Sequence, residues 1–151
     1  MINTENVINK GLHKISTQST YDIGLQGQNF VELKFQRAGY IVYKKNFKKI
    51  GLEIDLIVYK YIQSKNLLII RIVEVKTKRI KSFSYFLSKD ADVNLENFGI
   101  LEKWMKVRKV MFSIIDGIKS SYNLKDTKHK ISFDLAVVYS LLGTESFRLH
   151  R

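Results

Sequence analysis

The stretch Leu67-Leu68-Ile69-Ile70-Arg71-Ile72-Val73 is almost wholly aliphatic and runs straight into Glu74-Val75-Lys76. It is far too short for a membrane-spanning helix, which needs about 20 apolar residues. Its Ile and Val content reads as a strand buried near the centre of a sheet. A sheet with such a strand at its centre must be covered by helices, so an α/β domain is expected. A carboxylate closing a buried run is costly unless it is paired or holds a metal ion.

The remaining pattern fills in this layer arrangement. Residues 1–22 show no periodicity and read as a flexible or loosely packed lead-in, with a single domain over 23–151. Val31, Phe35 and Ala38 recur at helical spacing between Gly24 and Gly39. A first strand begins at Tyr40–Tyr43, and the Lys44–Lys49 stretch continues or ends it. Leu52–Tyr61 reads as a second strand, and Asn66–Lys76 as a third after a short turn at Gln63-Ser64-Lys65. That turn makes the second and third strands antiparallel neighbours. Thr77–Gly99 reads as loop or a short helix. Leu101–Ile118 is the clearest helix, with Trp104, Val107, Met111, Ile114, Ile115 and Ile118 on one stripe. Ile131–Leu142 is the last strand. The expected order is helix-strand-strand-strand-helix-strand, in a mixed sheet flanked by helices.

Charge and composition narrow the chemistry. The 151-residue chain carries 26 Lys plus Arg against 14 Asp plus Glu, a formal +12. The excess is spread over both halves, so it belongs to a folded surface and not to a tail. Nucleic acid is the first partner class such a surface suggests, and a merely solvated Lys-rich exterior is the alternative. There is no Cys, which removes thiol nucleophiles and Cys-ligated metals. His13, His129 and His150 form no close pair. Carboxylate-held Mg²⁺ or Mn²⁺ is the metal chemistry left open. No Gly-x-Ser-x-Gly elbow and no Walker-type loop is present. Met1–Thr20 has no apolar run of signal-peptide length, so a cytoplasmic protein with no membrane contact is expected.

Glu53 and Asp55 stand two apart on the second strand, and alternation puts them on one face. Glu74 and Lys76 share a face at the end of the third. Across an antiparallel ladder Asp55 and Glu74 can approach each other. Two converging carboxylates suit a divalent cation, and Lys76 would bring a positive charge beside it. Together these residues match the requirements of metal-dependent phosphodiester cleavage. Plain strand-end charges are the competing reading.

The segment from Gly39 to Ile57, with Gly51-Leu52-Glu53-Ile54-Asp55-Leu56-Ile57 at its heart, resembles the hallmark of the YraN family. Val73-Glu74-Val75-Lys76-Thr77-Lys78 resembles the family's second motif. Lys106 and its helix, and Phe133-Asp134-Leu135-Ala136-Val137, resemble later ones. The resemblance runs from about Gly24 to Val138. The family is assigned to the PD-(D/E)XK nuclease superfamily, with a restriction-endonuclease-like core, and is similar to archaeal Holliday-junction resolvases. The resemblance implies catalytic positions at Asp55, Glu74 and Lys76, with Glu53 beside them. It implies metal binding by Asp55, Glu74 and the Val75 carbonyl. It also implies a homodimer able to cut two strands. The family's Gly-Glu pair on the first helix is Gly27-Gln28 here. Gln28 brings no negative charge, and Glu32, one turn on, is a candidate substitute. The turn between the second and third strands is longer than in the family, and the first 20 or so residues have no counterpart.

The expectation is therefore an endonuclease acting on DNA, branched or otherwise structured, with Mg²⁺ or Mn²⁺. A non-catalytic nucleic-acid-binding module that keeps the same fold is the alternative, and a protein-interaction scaffold is a third reading. Lys44, Lys45, Lys48 and Lys49, then Lys76, Lys78, Arg79 and Lys81, and Lys106, are the candidate phosphate contacts. Tyr21, Tyr40, Tyr43, Tyr59, Tyr61 and Tyr85 are either base-stacking platforms or half-buried strand residues. Asp134 has both a catalytic and a structural reading.

Overall fold

The computed structural model describes residues 19–80, 99–141 and 144–150. The lead-in up to residue 18, Lys81 and Tyr85 lie outside them. Helix α1 spans Thr20–Arg37. It is followed by β1 (Ile41–Lys49), β2 (Leu52–Ile62), a short 3₁₀ turn (Gln63–Lys65) and β3 (Leu67–Arg79). Helix α2 (Ile100–Ser121), β4 (Lys128–Leu141) and β5 (Thr144–His150) complete the described chain. The sheet order is β1-β2-β3-β4-β5. All neighbours are antiparallel except β3 and β4, which are parallel. A parallel pair needs a crossover, and α2 lies between these two strands in sequence.

The expected order stops one strand short. β5 pairs with β4 from Leu141↔Thr144 to Leu135↔His150 and forms one edge of the sheet. Helix α1 starts at Thr20, inside the stretch read as lead-in. The reason is a capping box at Ser19. The Asp22 N–H donates to Ser19 Oγ (3.1 Å), and Asp22 Oδ2 accepts from the Ser19 N–H (3.3 Å). A search for apolar periodicity passes over such a polar start.

The two faces of β3 serve two cores, which explains its unbroken apolar run. Leu68, Ile70 and Ile72 pack with Val107, Val110, Ile114, Ile115 and Ile118 of α2. Val73 and Val75 pack with Val31 and Phe35 of α1. Leu135, Val137 and Tyr139 of β4 meet Ile100 and the half-buried Trp104 on the α2 side.

The ladder between the central strands is incomplete. β2 and β3 pair from Ile62↔Leu67 only as far as Leu56↔Val73. Beyond that, the start of β2 stays with β1 through Phe47↔Ile54 and Lys48↔Glu53. The end of β3 stays with β4, from Glu74↔Leu135 to Arg79↔Ser140. The sheet therefore forks, and Asp55 and Glu74 are the first residues on either side of the split.

Candidate metal centre and its basic surround

Alternation fails at Asp55. Ile54 belongs to the core under α2 and Leu56 to the core under α1, so β2 changes face between them. Opposite, Asn46 sits between Lys45↔Leu56 and Phe47↔Ile54 with φ of +48°. The twist turns the Asp55 side chain into the fork. Its Oδ2 accepts from the Val75 N–H at 2.8 Å, a donor that an intact ladder would have used. Its Oδ1 accepts from Gln28 Nε2 of α1 at 3.1 Å. The spacing argument that joined Glu53 to Asp55 does not survive this twist. Glu53 is exposed and faces Lys48 at 3.6 Å.

Glu74 is buried at the opposite lip. Lys76 Nζ lies 2.8 Å from its Oε1, and Lys103 Nζ of α2 donates to its Oε2. Burial pushes the Asp55 carboxyl up from 3.8 to about 6, and the charge of Glu74 adds to the rise. The Val75 N–H and Lys103 pull the other way, and a hydrogen bond with the Glu74 side chain raises it again. Thus two carboxylates converge in the fork, with Lys76 and Lys103 paired directly to Glu74.

Lys103 was not among the residues singled out from the sequence, which pointed to Lys106 on the same helix. Lys106 instead pairs with Glu102 at 3.1 Å, one turn away on the helix surface. A register signal was available: Lys103 precedes buried Val107 by one helical turn, which aims it along the packed stripe. Glu32, the candidate substitute for a family carboxylate, is held by Lys45 at 2.8 Å. It lines the same small pocket as Gln28, Asn46 and Asp55.

Gly27 brings α1 close enough for Gln28 to reach the fork. A Cβ at this position would stand 2.0 Å from Thr77 Oγ1 and 3.2 Å from Thr77 Cβ. Gly27→Ala is therefore expected to cost about 1 kcal/mol net, because overpacking outweighs the gain in helix propensity. Urea unfolding checks this, and adding Thr77→Ala should restore the loss.

Asp134, with two readings from sequence, has a structural partner. Its fully buried carboxylate accepts from Arg71 Nε at 2.6 Å and from Ser132 Oγ at 3.2 Å. Burial works against the Arg71 charge, and Asp134 more than restores it. The guanidinium also lies over the rings of Phe35 (5.1 Å) and Tyr40 (5.7 Å).

The basic residues differ in their surroundings. Lys44, Lys45, Lys48 and Lys49 are exposed along edge strand β1. Lys49 Nζ donates to the neutral hydroxyl of Ser113 at 2.9 Å, and Lys44 lies over the Tyr43 ring. Lys78 is half-buried and Arg79 exposed at the end of β3. Leu52, Glu53, Gly99, Lys103 and Lys106 line a groove between the β1–β2 hairpin and the start of α2. Of the tyrosines, Tyr59 is buried, Tyr40 and Tyr43 are half-buried, and Tyr21 and Tyr61 are exposed.

Among the described residues, no group of three or more His, Asp or Glu is placed to hold a metal, so the fork offers two carboxylates. No described helix is long and apolar enough to cross a membrane. No protein-family model matches this chain, and no curated protein is significantly similar to it in sequence.

Proposed function

We propose that the chain is a metal-dependent endonuclease-like protein that hydrolyses phosphodiester bonds in DNA on a restriction-endonuclease-like core. The observation that carries this reading is the fork, which brings Asp55 and Glu74 together while Lys76 and Lys103 flank Glu74. The donor set is all oxygen, which suits Mg²⁺ or Mn²⁺. Such ions keep several waters, so two carboxylates are a sufficient protein contribution. Asp55 and Glu74 would hold the ion. Val75 would add its carbonyl, because a strand residue presents its C=O on the same side as its N–H, and that N–H points at Asp55. When bound, the ion supplies Lewis-acid polarisation of the phosphate and lowers the pKa of a water.

The protein's own groups do the rest. Gln28 and the Val75 N–H each hold one oxygen of the Asp55 carboxylate and so fix its orientation beside Glu74. Lys76 and Lys103 neutralise Glu74, and each can stabilise charge growing on a scissile phosphate. Lys44, Lys45, Lys48, Lys49, Lys78, Arg79 and Lys106 would hold the flanking backbone. Branched or otherwise structured DNA is the favoured substrate, and the cytoplasm and a homodimer are the setting that goes with it.

The test is cleavage of branched, single-stranded and duplex DNA with Mg²⁺ or Mn²⁺. Asp55→Asn and Glu74→Gln should each abolish cutting, and cleavage that survives both would overturn the reading. A specific observation favours the runner-up, a non-catalytic DNA-binding module: two lysines already neutralise Glu74 without any metal. That module would bind DNA in a salt-sensitive way and show no Asp55-dependent heat in a Mn²⁺ titration.

A further inference from the structure

The hairpin joining β1 to β2 turns through Ile50 and Gly51, closed by Lys49↔Leu52. Both turn residues have positive φ, +51° and +68°. A two-residue hairpin of this kind is a type I′ turn, whose favoured sequence is Asn-Gly. Isoleucine is a poor occupant, because a β-branched side chain in the left-handed region is a steric outlier. Packing does not compensate: Ile50 is 88% exposed, more than any other large apolar residue described. The chain therefore holds a strained aliphatic side chain out into solvent.

Its position suggests what it meets. β2 runs antiparallel to β3, so the tip lies at the end of the sheet that forks. Ile50 stands five residues before Asp55, at most about 17 Å of extended strand. Lys48 and Lys49 precede it, and the groove beside Leu52 carries Lys103 and Lys106 together with Glu53 and Glu102. The Lys48–Glu53 contact is a long surface pair, and Lys49 donates to the neutral hydroxyl of Ser113. An apolar tip around which four lysines outnumber the carboxylates of Glu53 and Glu102 is a poor complement to a hydrophobic protein surface. It is a good complement to a base stack flanked by phosphates.

We infer that Ile50 is a wedge that enters the base stack of double-stranded DNA at a discontinuity such as a branch point or nick, with Lys48 and Lys49 on the adjoining phosphates. This rests on the DNA reading above and deepens it. The wedge would select DNA whose stack is already interrupted, because unstacking costs least there. It would also keep the cut within about five base steps of the discontinuity, since the span is at most about 17 Å and the rise is about 3.4 Å per step.

The test uses Glu74→Gln protein in EDTA, so that binding is read without cleavage. The DNA carries 2-aminopurine beside a branch point. Ile50→Asn keeps the turn and removes the apolar tip. Fluorescence should rise on binding of the parent and stay flat with Ile50→Asn. Affinity for branched over continuous duplex should fall about tenfold, the scale of one aliphatic side chain no longer buried. Continuous duplex should be bound equally by both proteins. The Tm of Ile50→Asn should be higher, since Asn suits the turn. Unchanged fluorescence and an unchanged affinity ratio would overturn the wedge while leaving DNA binding intact. A lower Tm would remove the strain on which the wedge is argued. Failure of both proteins to bind any DNA would overturn the nuclease reading, and the wedge with it.

Discussion

Asp134→Ala is expected to destabilise the fold by about 3 to 5 kcal/mol, the largest effect of any single substitution considered. The loss comes from the partner left behind. Arg71 is almost fully buried between Asp134 and the rings of Phe35 and Tyr40, and its Nη2 has no hydrogen-bond partner among the described residues. Removing the carboxylate strands a guanidinium that cannot give up its proton. The double variant Arg71→Met, Asp134→Leu removes both charges and should unfold near the wild-type urea midpoint. If Asp134→Ala costs less than 1 kcal/mol, the pair is not what holds β3 and β4 in register.

Asp55→Asn should do the opposite in metal-free buffer near pH 7.5. The Asp55 carboxyl is raised from 3.8 to about 6 in the fold. Between those values the folded chain keeps a proton that the unfolded chain releases. Stability from this group is therefore full below about pH 4 and is lost as pH rises through 6. The side chain is partly solvated, so the loss is about 1 to 3 kcal/mol. Asparagine does not titrate. The variant should be more stable than wild type by that amount at pH 7.5, and level with it near pH 4. Thermal unfolding in EDTA across this range checks the sign. Millimolar Mn²⁺ should raise the Tm of wild type and not of the variant. A variant less stable than wild type at both pH values would show that the fork does not strain the Asp55 charge.

The strands and helices carrying the cores were legible because their apolar patterns are long. The Leu67–Val73 run announced a strand with two buried faces, and the stripe from Trp104 to Ile118 announced α2. Asp55 and Glu74 were legible as a facing pair, since an antiparallel turn fixes that register. What spacing did not reveal is the fork itself. It arises from a face change at Asp55 and a left-handed Asn46, and alternation assumes that neither occurs. Lys103 was missed because its role depends on how α2 lies against the lip of β3, a tertiary fact. The start of α1 was missed because a capping box is polar and short, and β5 because it is a brief edge strand. Gly27 looked like half of a motif, and only the 2.0 Å approach of Thr77 gives it a steric reason.

The lysines of β1 have a use that depends on no ligand. Among the described residues β1 is paired on one side only, which leaves a row of backbone donors and acceptors along its outer edge. An edge strand nine residues long invites another chain to add itself and continue the sheet. Lys44, Lys45, Lys48 and Lys49 crowd that edge with like charge, so two copies meeting edge to edge repel. At low salt the repulsion is strongest and the protein polices its own aggregation. Neutralising those four side chains would lift that protection, so their charge is a determinant of the monomer's persistence in concentrated solution.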